Sequence, residues 1–340
     1  MPLRARRAWL TAAVGVVTAL LATACGGSSS SADVPAGGPT PLKMAFEWTC
    51  SGDWSVVYSG LEQKIFEKHG LALTYDRGQG GSDTVPMVAA GEFDVGLLGA
   101  APTIIGAGQG LPITIVGAAA TSGPVTILAS PDIKQPADLE GRSLAVQTDQ
   151  FEGAMWEAYV KATGIDGSKV EVIPADDATT AEFLAGKIDA LVVFYPTAST
   201  QAVLAARPDL TILPMQDHVP AYGHLMVANN RYLAEHPDAV RGFVTAWSES
   251  AKWVVDHWDQ AYQLLVSKCP EVDPAALKFS MEAYFDGYTG GYAKEHGIGT
   301  FEIAGIEKTQ EVLESAGLAK DRPTAEFVSL DYLPSQPIMP

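Results

Sequence analysis

Ala90-Gly91-Glu92-Phe93-Asp94-Val95 returns about 95 residues later as Ala185-Gly186-Lys187-Ile188-Asp189-Ala190. In both copies a glycine stands where a helical pattern stops, and an apolar run follows the aspartate. The same order of elements surrounds each copy. Ahead of the first, Leu42 to Glu47 reads as a strand. Trp54, Val57, Tyr58, Leu61 and Ile65 fall at helical spacing behind Asp53, an N-cap residue, and Gly70 ends that helix. Leu71 to Tyr75 is a strand, Gly78 to Asp83 a loop, residues 84–90 a helix and Phe93 to Leu98 a strand. Around the second copy, Ser143 to Gln147 is a strand and Phe151, Met155, Tyr159 and Val160 mark a helix face. Val170 to Ile173 is a strand, Thr179-Thr180-Ala181-Glu182 is a capping box, and Ala190 to Phe194 is a strand. Pro102-Thr103 answers Pro196-Thr197. Common α/β grammar could produce two such junctions, but a shared order of five elements favours two similar lobes. The predicted fold is α/β, two-lobed, each lobe a βαβαβ parallel sheet flanked by helices.

Two segments, Ile113 to Pro124 and Leu213 to Val227, read as crossings between lobes. Lobe one is then discontinuous, residues 42–121 plus 222–335, and lobe two spans 122–221. From about Arg231 the chain is helix-rich. Val240, Phe243, Val244, Trp247, Ala251, Val254 and Trp258 form an amphipathic stripe whose tryptophans read as core.

Length and composition narrow the function. The chain has 340 residues, 22 basic and 40 acidic side chains, and a net charge of −18. Such a balance offers no basic patch for phosphates, so nucleic acid is excluded as a partner. Three cysteines cannot build a disulfide scaffold.

The first 25 residues read as a signal peptide. Arg4, Arg6 and Arg7 precede an apolar run from Trp9 to Leu21, and Ala22-Thr23-Ala24-Cys25 follows. The run is shorter than the roughly 20 residues of a membrane span. Small residues ending at a lone cysteine resemble a bacterial lipobox, with Cys25 the lipid-modified first residue. Ala22 stands where that pattern prefers leucine, and an ordinary secretory cleavage is the alternative. Arg6-Arg7-Ala8-Trp9-Leu10 is weakly similar to a twin-arginine signal. Residues 26–41, rich in Gly, Ser and Pro, read as a flexible linker. Loss of residues 1–24 removes three arginines and no acid, taking the charge from −18 to −21. The expected localisation is outside the cell, lipid-anchored to the outer face of the cytoplasmic membrane.

An export signal, two βαβαβ lobes and two crossings resemble the solute-binding protein of a bacterial ABC importer. Gly78-Gln79-Gly80-Gly81-Ser82-Asp83-Thr84, followed by Ala89 to Gly96, is similar to the branch that binds nitrate, taurine, sulfonates and thiamine pyrimidine precursors. Leu139 to Val146 and Val240 to Ala246 resemble two further segments of that branch. The resemblance spans about residues 42–320. It implies a monomer that closes on a small-molecule ligand and is read by a membrane permease, with no cofactor.

Parallel α/β sheets present ligand loops at the carboxyl ends of their strands. In lobe one these loops supply Glu47, Trp48, Asp53, Trp54, Gly81, Ser82 and Asp83 as candidates. Ser82 and Asp83 could equally be ordinary helix-start residues. In lobe two they supply Thr148, Asp149, Phe194 and Tyr195, and the second crossing adds Tyr222, with His224 beside it. The set is rich in aromatic faces and carboxylates, and Arg77 is its only basic neighbour in lobe one. Carboxylates repel anions. A ring bearing amino groups therefore fits better than a sulfonate, taurine or nitrate, which remain the alternative. Relatives that bind pyrimidines usually continue past the first-strand tryptophan with a proline-asparagine pair; here Thr49-Cys50-Ser51-Gly52-Asp53-Trp54 departs from that.

The same fold family includes a pyrimidine synthase, so an enzyme is a competing reading. No Gly-x-Ser-x-Gly elbow, His-Glu-x-x-His or paired metal spacing occurs, so neither catalysis nor a metal is expected. Cys50 and Cys269 are candidates for a disulfide, because two thiols outside the cytoplasm tend to pair. The alternative is two separate thiols, and a Cα separation beyond about 7 Å would decide for it.

Overall fold

The computed structural model describes residues 38–78, 80–148 and 151–340. The leader, Cys25, almost all of the linker, and Asp149 lie outside the described residues. Among the described residues, ten strands form two five-stranded sheets. The first contains β1 (Thr40–Phe46), β2 (Leu71–Arg77), β3 (Val95–Gly99), β4 (Ile113–Ala118) and β10 (His224–Asn229). Its order is β2-β1-β3-β10-β4. The second contains β5 (Val125–Ala129), β6 (Ser143–Val146), β7 (Glu171–Pro174), β8 (Ala190–Phe194) and β9 (Thr211–Pro214), in the order β7-β6-β8-β5-β9. The linker reading ran slightly long, since Thr40 and Pro41 already pair with Leu71 and Ala72.

Both sheets are mixed, which corrects the expectation of purely parallel ones. β10 runs antiparallel to β3 and β4, and β5 runs antiparallel to β8 and β9. The reason is topological. Each antiparallel strand carries the chain out of a crossing between sheets, so it enters its own sheet from the cleft side. The βαβαβ part of each sheet is parallel as expected.

The repeated stretch has a physical basis. Gly91 and Gly186 both end helices at positive φ, 80° and 72°, where a side chain would be strained. The aspartate three residues on then ties the following strand to the first strand of its βαβαβ unit, β1 or β6. Asp94 accepts the Lys43 N–H at 2.7 Å. Asp189 accepts the Ser143 N–H at 3.0 Å and its hydroxyl at 2.9 Å. Phe93 and Ile188 are buried at equivalent points.

Each sheet is covered on both faces. In the first, Met44, Phe46, Trp54, Phe243 and Trp247 pack on one side, and Val88, Leu98, Ile104 and Ile115 on the other. In the second, Leu144 and Tyr159 pack opposite Phe183 and Leu191. Trp247, fully buried, is core as its helical stripe predicts. No described helix is long and apolar enough to cross a membrane.

Candidate functional site

A cleft of about 340 Å³ opens where the carboxyl ends of β1 and β8 face each other. The loop after β1 supplies Glu47, Trp48, Ser51 and Asp53, and the turn after β8 supplies Phe194, Pro196 and Thr197. His224 enters from the start of β10, and helix Pro274–Thr289 closes the third side with Ala276, Leu277, Ser280 and Tyr284.

Glu47 organises the floor. Its Oε2 accepts the Gly99 N–H at 2.7 Å, and its Oε1 lies 3.4 Å from Nε2 of His224. Gly99 is the N-cap of helix Ala100–Gly108, so the carboxylate sits at a helix start, where an anion is favoured. The start of helix Gly81–Ala90 meets the same group: a Cβ on Gly81 would stand 2.9 Å from Oε2 of Glu47 and 2.4 Å from Pro102. Only glycine fits there.

Asp53 stands beside this pair and is almost fully buried. It begins helix Trp54–Glu62 but does not cap it; its carboxylate accepts the Ser51 hydroxyl instead. Burial pushes its pKa from an ordinary 3.8 up to about 6, against the opposing pull of His224 and Ser51. Burial disfavours a charged His224, but the hydrogen bond and charge of Glu47 and the charge of Asp53 outweigh it, so the imidazole titrates above its ordinary 6.5. Its ring meets Tyr284 at 5.4 Å and Phe194 at 6.0 Å, both edge to face. Trp48 is 59% exposed at the mouth. Among the described residues, no lysine or arginine lines the cleft.

Among the described residues, this cleft brings together Glu47, Trp48, Asp53 and Phe194 of the sequence candidates, with His224. Others lie elsewhere. Trp54 belongs to the core: it stacks on Phe46 at 4.0 Å and 9° on the far side of the strand end. Gly81 supports Glu47 without lining the cavity, and Ser82, Asp83 and Thr148 are exposed and do not line it. Gly80, not Ser82, holds the N-cap position of their helix. Tyr195 turns onto Phe279 at 5.2 Å. Tyr222 is buried on helix Ile303–Ser315, its backbone N–H donating to Thr309 at 2.9 Å and its hydroxyl to the Glu302 carbonyl at 3.3 Å.

Ser51, Ser280 and Tyr284 were missed. A signal existed, since Leu277, Ser280 and Tyr284 fall at i, i+3 and i+7, placing two polar groups inside an apolar stripe. Ser280 accepts the Gly52 N–H at 2.9 Å and donates to the Pro196 carbonyl at 3.0 Å, so one hydroxyl links the β1 and β8 loops. Cys50 and Cys269 are joined in a disulfide with Cα atoms 6.2 Å apart, which fastens the β1 loop to the end of helix Trp258–Lys268.

Residues 52–261 match the family described as NMT1/THI5 like. The chain belongs to that family. It is 22% identical over 236 residues to a formylaminopyrimidine-binding protein of Halalkalibacterium halodurans, covering 68% of this chain and 72% of that one. It is 22% identical over 233 residues to a putative thiamine biosynthesis protein of Haemophilus influenzae, covering 67% and 74%. In structure it resembles the periplasmic aliphatic sulphonate binding protein SsuA from Escherichia coli, with a TM-score of 0.64 at 17% identity, covering 88% of this chain and 94% of that one. The desulfurization enzyme DszB has a TM-score of 0.60 at 16% identity, covering 86% and 97%. This NMT1/THI5-like chain thus has the two-lobed periplasmic-binding-protein fold, which relatives put to more than one use.

Proposed function

We propose that this NMT1/THI5-like protein is the extracytoplasmic ligand-binding component of an ABC importer. It captures a small heterocyclic or aromatic solute, similar to a thiamine pyrimidine precursor, between its lobes and delivers it to a membrane permease. A monomer tethered through a lipid on Cys25 accounts for the leader and the linker. Ligand contacts from both lobes favour the closed arrangement, and closure is the state a permease can read.

The observation that carries this reading is the position of Glu47. An anion-binding pocket of this architecture would offer its ligand the helix starts at Gly81 and Gly99. Here the protein's own carboxylate takes that place, with Asp53 beside it; among the described residues no lysine or arginine lines the cleft, and the His224 imidazole is already paired with Glu47. Carboxylates accept from ring amines, and aromatic edges and faces bound the space between them.

Binding rather than catalysis is supported by the same residues. Cys50 spends its sulfur in the disulfide, and the Ser51 hydroxyl donates to Asp53 rather than facing His224. Thermal-shift titration with formylaminopyrimidine, taurine and nitrate tests the ligand class. Stabilisation by the pyrimidine is expected, at about 2.7 kcal/mol when ligand stands at 100 times its dissociation constant. Stabilisation by taurine or nitrate alone overturns the reading, and turnover of the pyrimidine by purified protein overturns the assignment as a binder.

A further inference from the structure

A second cavity, about 240 Å³, lies on the other side of the His224–Tyr284 pair. His224, Tyr284 and Pro196 line both spaces, so they form a shared wall. The second space is set among the strands that cross between the sheets, and beside the shared His224 and Tyr284 its polar lining comes from Ser122, Thr126, Tyr195, Gln216 and Asp286. Its character differs from that of the first. The first is bounded by aromatic edges over carboxylates; the second offers short hydroxyls, the Tyr195 phenol, an amide and one carboxylate, and among the described residues no lysine or arginine lines it.

Thr126 carries the argument for a ligand. It is 5% exposed, on β5, and its hydroxyl makes no hydrogen bond to another described residue although it borders the cavity. The hydroxyl opens onto the cavity, so a ligand group that bonds it takes the place of water at a pre-formed position. Asp286 stands at the rim, close enough to Tyr195 that its charge raises the pKa of that phenol, after burial as the larger cause. An acceptor at the rim and a hydroxyl in the depth suit a short chain ending in an ammonium or hydroxyl group.

We propose that the cleft is bipartite and that its solute has two parts: a flat ring seated over Glu47 and Asp53, and a short amine- or hydroxyl-bearing tail that passes the His224–Tyr284 wall to reach Thr126 and Asp286. This rests on the ring-binding reading above and adds the chemistry of the rest of the molecule. A bare pyrimidine fills only the first space.

The test compares matched probes by calorimetry on the oxidised protein: an aminopyrimidine with and without an aminoethyl tail, and indole against tryptamine. The tail is expected to tighten binding at least tenfold, which is about 1.4 kcal/mol. In Asp286→Asn and in Thr126→Val the ratio of tailless to tailed dissociation constants is expected to fall toward one. Thr126→Val keeps the shape of the side chain while removing its hydroxyl, and Asp286 is exposed, so folding is checked for each by its denaturation midpoint. Equal binding of tailed and tailless probes, or a tail gain that survives both substitutions, overturns the bipartite site while leaving ring binding in place. A gain seen with tryptamine and no binding by either pyrimidine keeps the second chamber and removes the pyrimidine reading. No binding by any probe removes both.

Discussion

Both carboxylate oxygens of Glu47 are engaged by the protein itself, one by Gly99 and one by His224. Truncation in Glu47→Ala strands a backbone donor and a buried imidazole together. A buried donor left unsatisfied costs about 1–3 kcal/mol, so the unfolding free energy should fall by that order and amine-bearing ligands should bind at least tenfold more weakly. Asp53 gives a pH signature. Its pKa rises from 3.8 in the unfolded chain to about 6 in the folded one, so the native state holds the extra proton between those values. Stability contributed by this group is therefore present at low pH and is lost as pH rises from about 3.8 to about 6. His224 acts in the same sense above 6.5, because its folded pKa is also raised. Asp53→Asn should remove the acid-side part of this loss. Midpoints of wild type and variant measured from pH 4 to 7 should diverge as pH rises, the variant becoming the more stable; parallel curves would refute the buried-carboxylate account. Position after a strand end was enough to select Glu47, Trp48, Asp53 and Phe194 from sequence. Trp54 was misplaced although adjacent to Asp53, since one step along a helix turns the side chain by about 100°. Its spacing with Val57, Tyr58 and Leu61 already assigned it to the core face.

At the scale of elements, the repeated glycine–aspartate junction allowed both βαβ units to be read from sequence, and the structure shows why it recurs: glycine ends the helix and aspartate ties two strands. The antiparallel insertions of β5 and β10 were not legible, because apolar periodicity records which face a strand buries and carries no direction. Helix Pro274–Thr289 was read only as part of a helical tail. Its role in the site depends on contacts with Gly52 and Pro196, 228 and 84 residues away in sequence. The disulfide acts on the same region. It closes a loop of 219 residues, and removal of a native disulfide typically costs about 2–5 kcal/mol. Cys50→Ser/Cys269→Ser should therefore unfold at lower denaturant, and dithiothreitol should move the wild-type midpoint to the variant's value. Insensitivity of the wild type to reductant would mean that the bond contributes nothing to stability.

For the whole molecule, one polar link between the lobes can be tested by itself at the cleft. Ser280 joins the β1 loop to the turn after β8 through a single hydroxyl, so Ser280→Ala should weaken the closed arrangement and leave the ring contacts in place. Solute release followed by stopped flow should then quicken several-fold, with a smaller change in association, as is usual when closure contacts are lost. Unchanged release would show that the hydroxyl serves only the fold. The acidic excess seen in the sequence acquires a location: Glu47 and Asp53 face the cleft, and Asp286 the adjoining space. This arrangement predicts that the cleft discriminates between solutes by charge. Calorimetric titration of the purified protein with formylaminopyrimidine and with nitrate, side by side at neutral pH, tests it most directly. Saturable binding of the pyrimidine with no heat from nitrate is the predicted result. Saturable binding of nitrate with none of the pyrimidine would contradict this reading of the cleft.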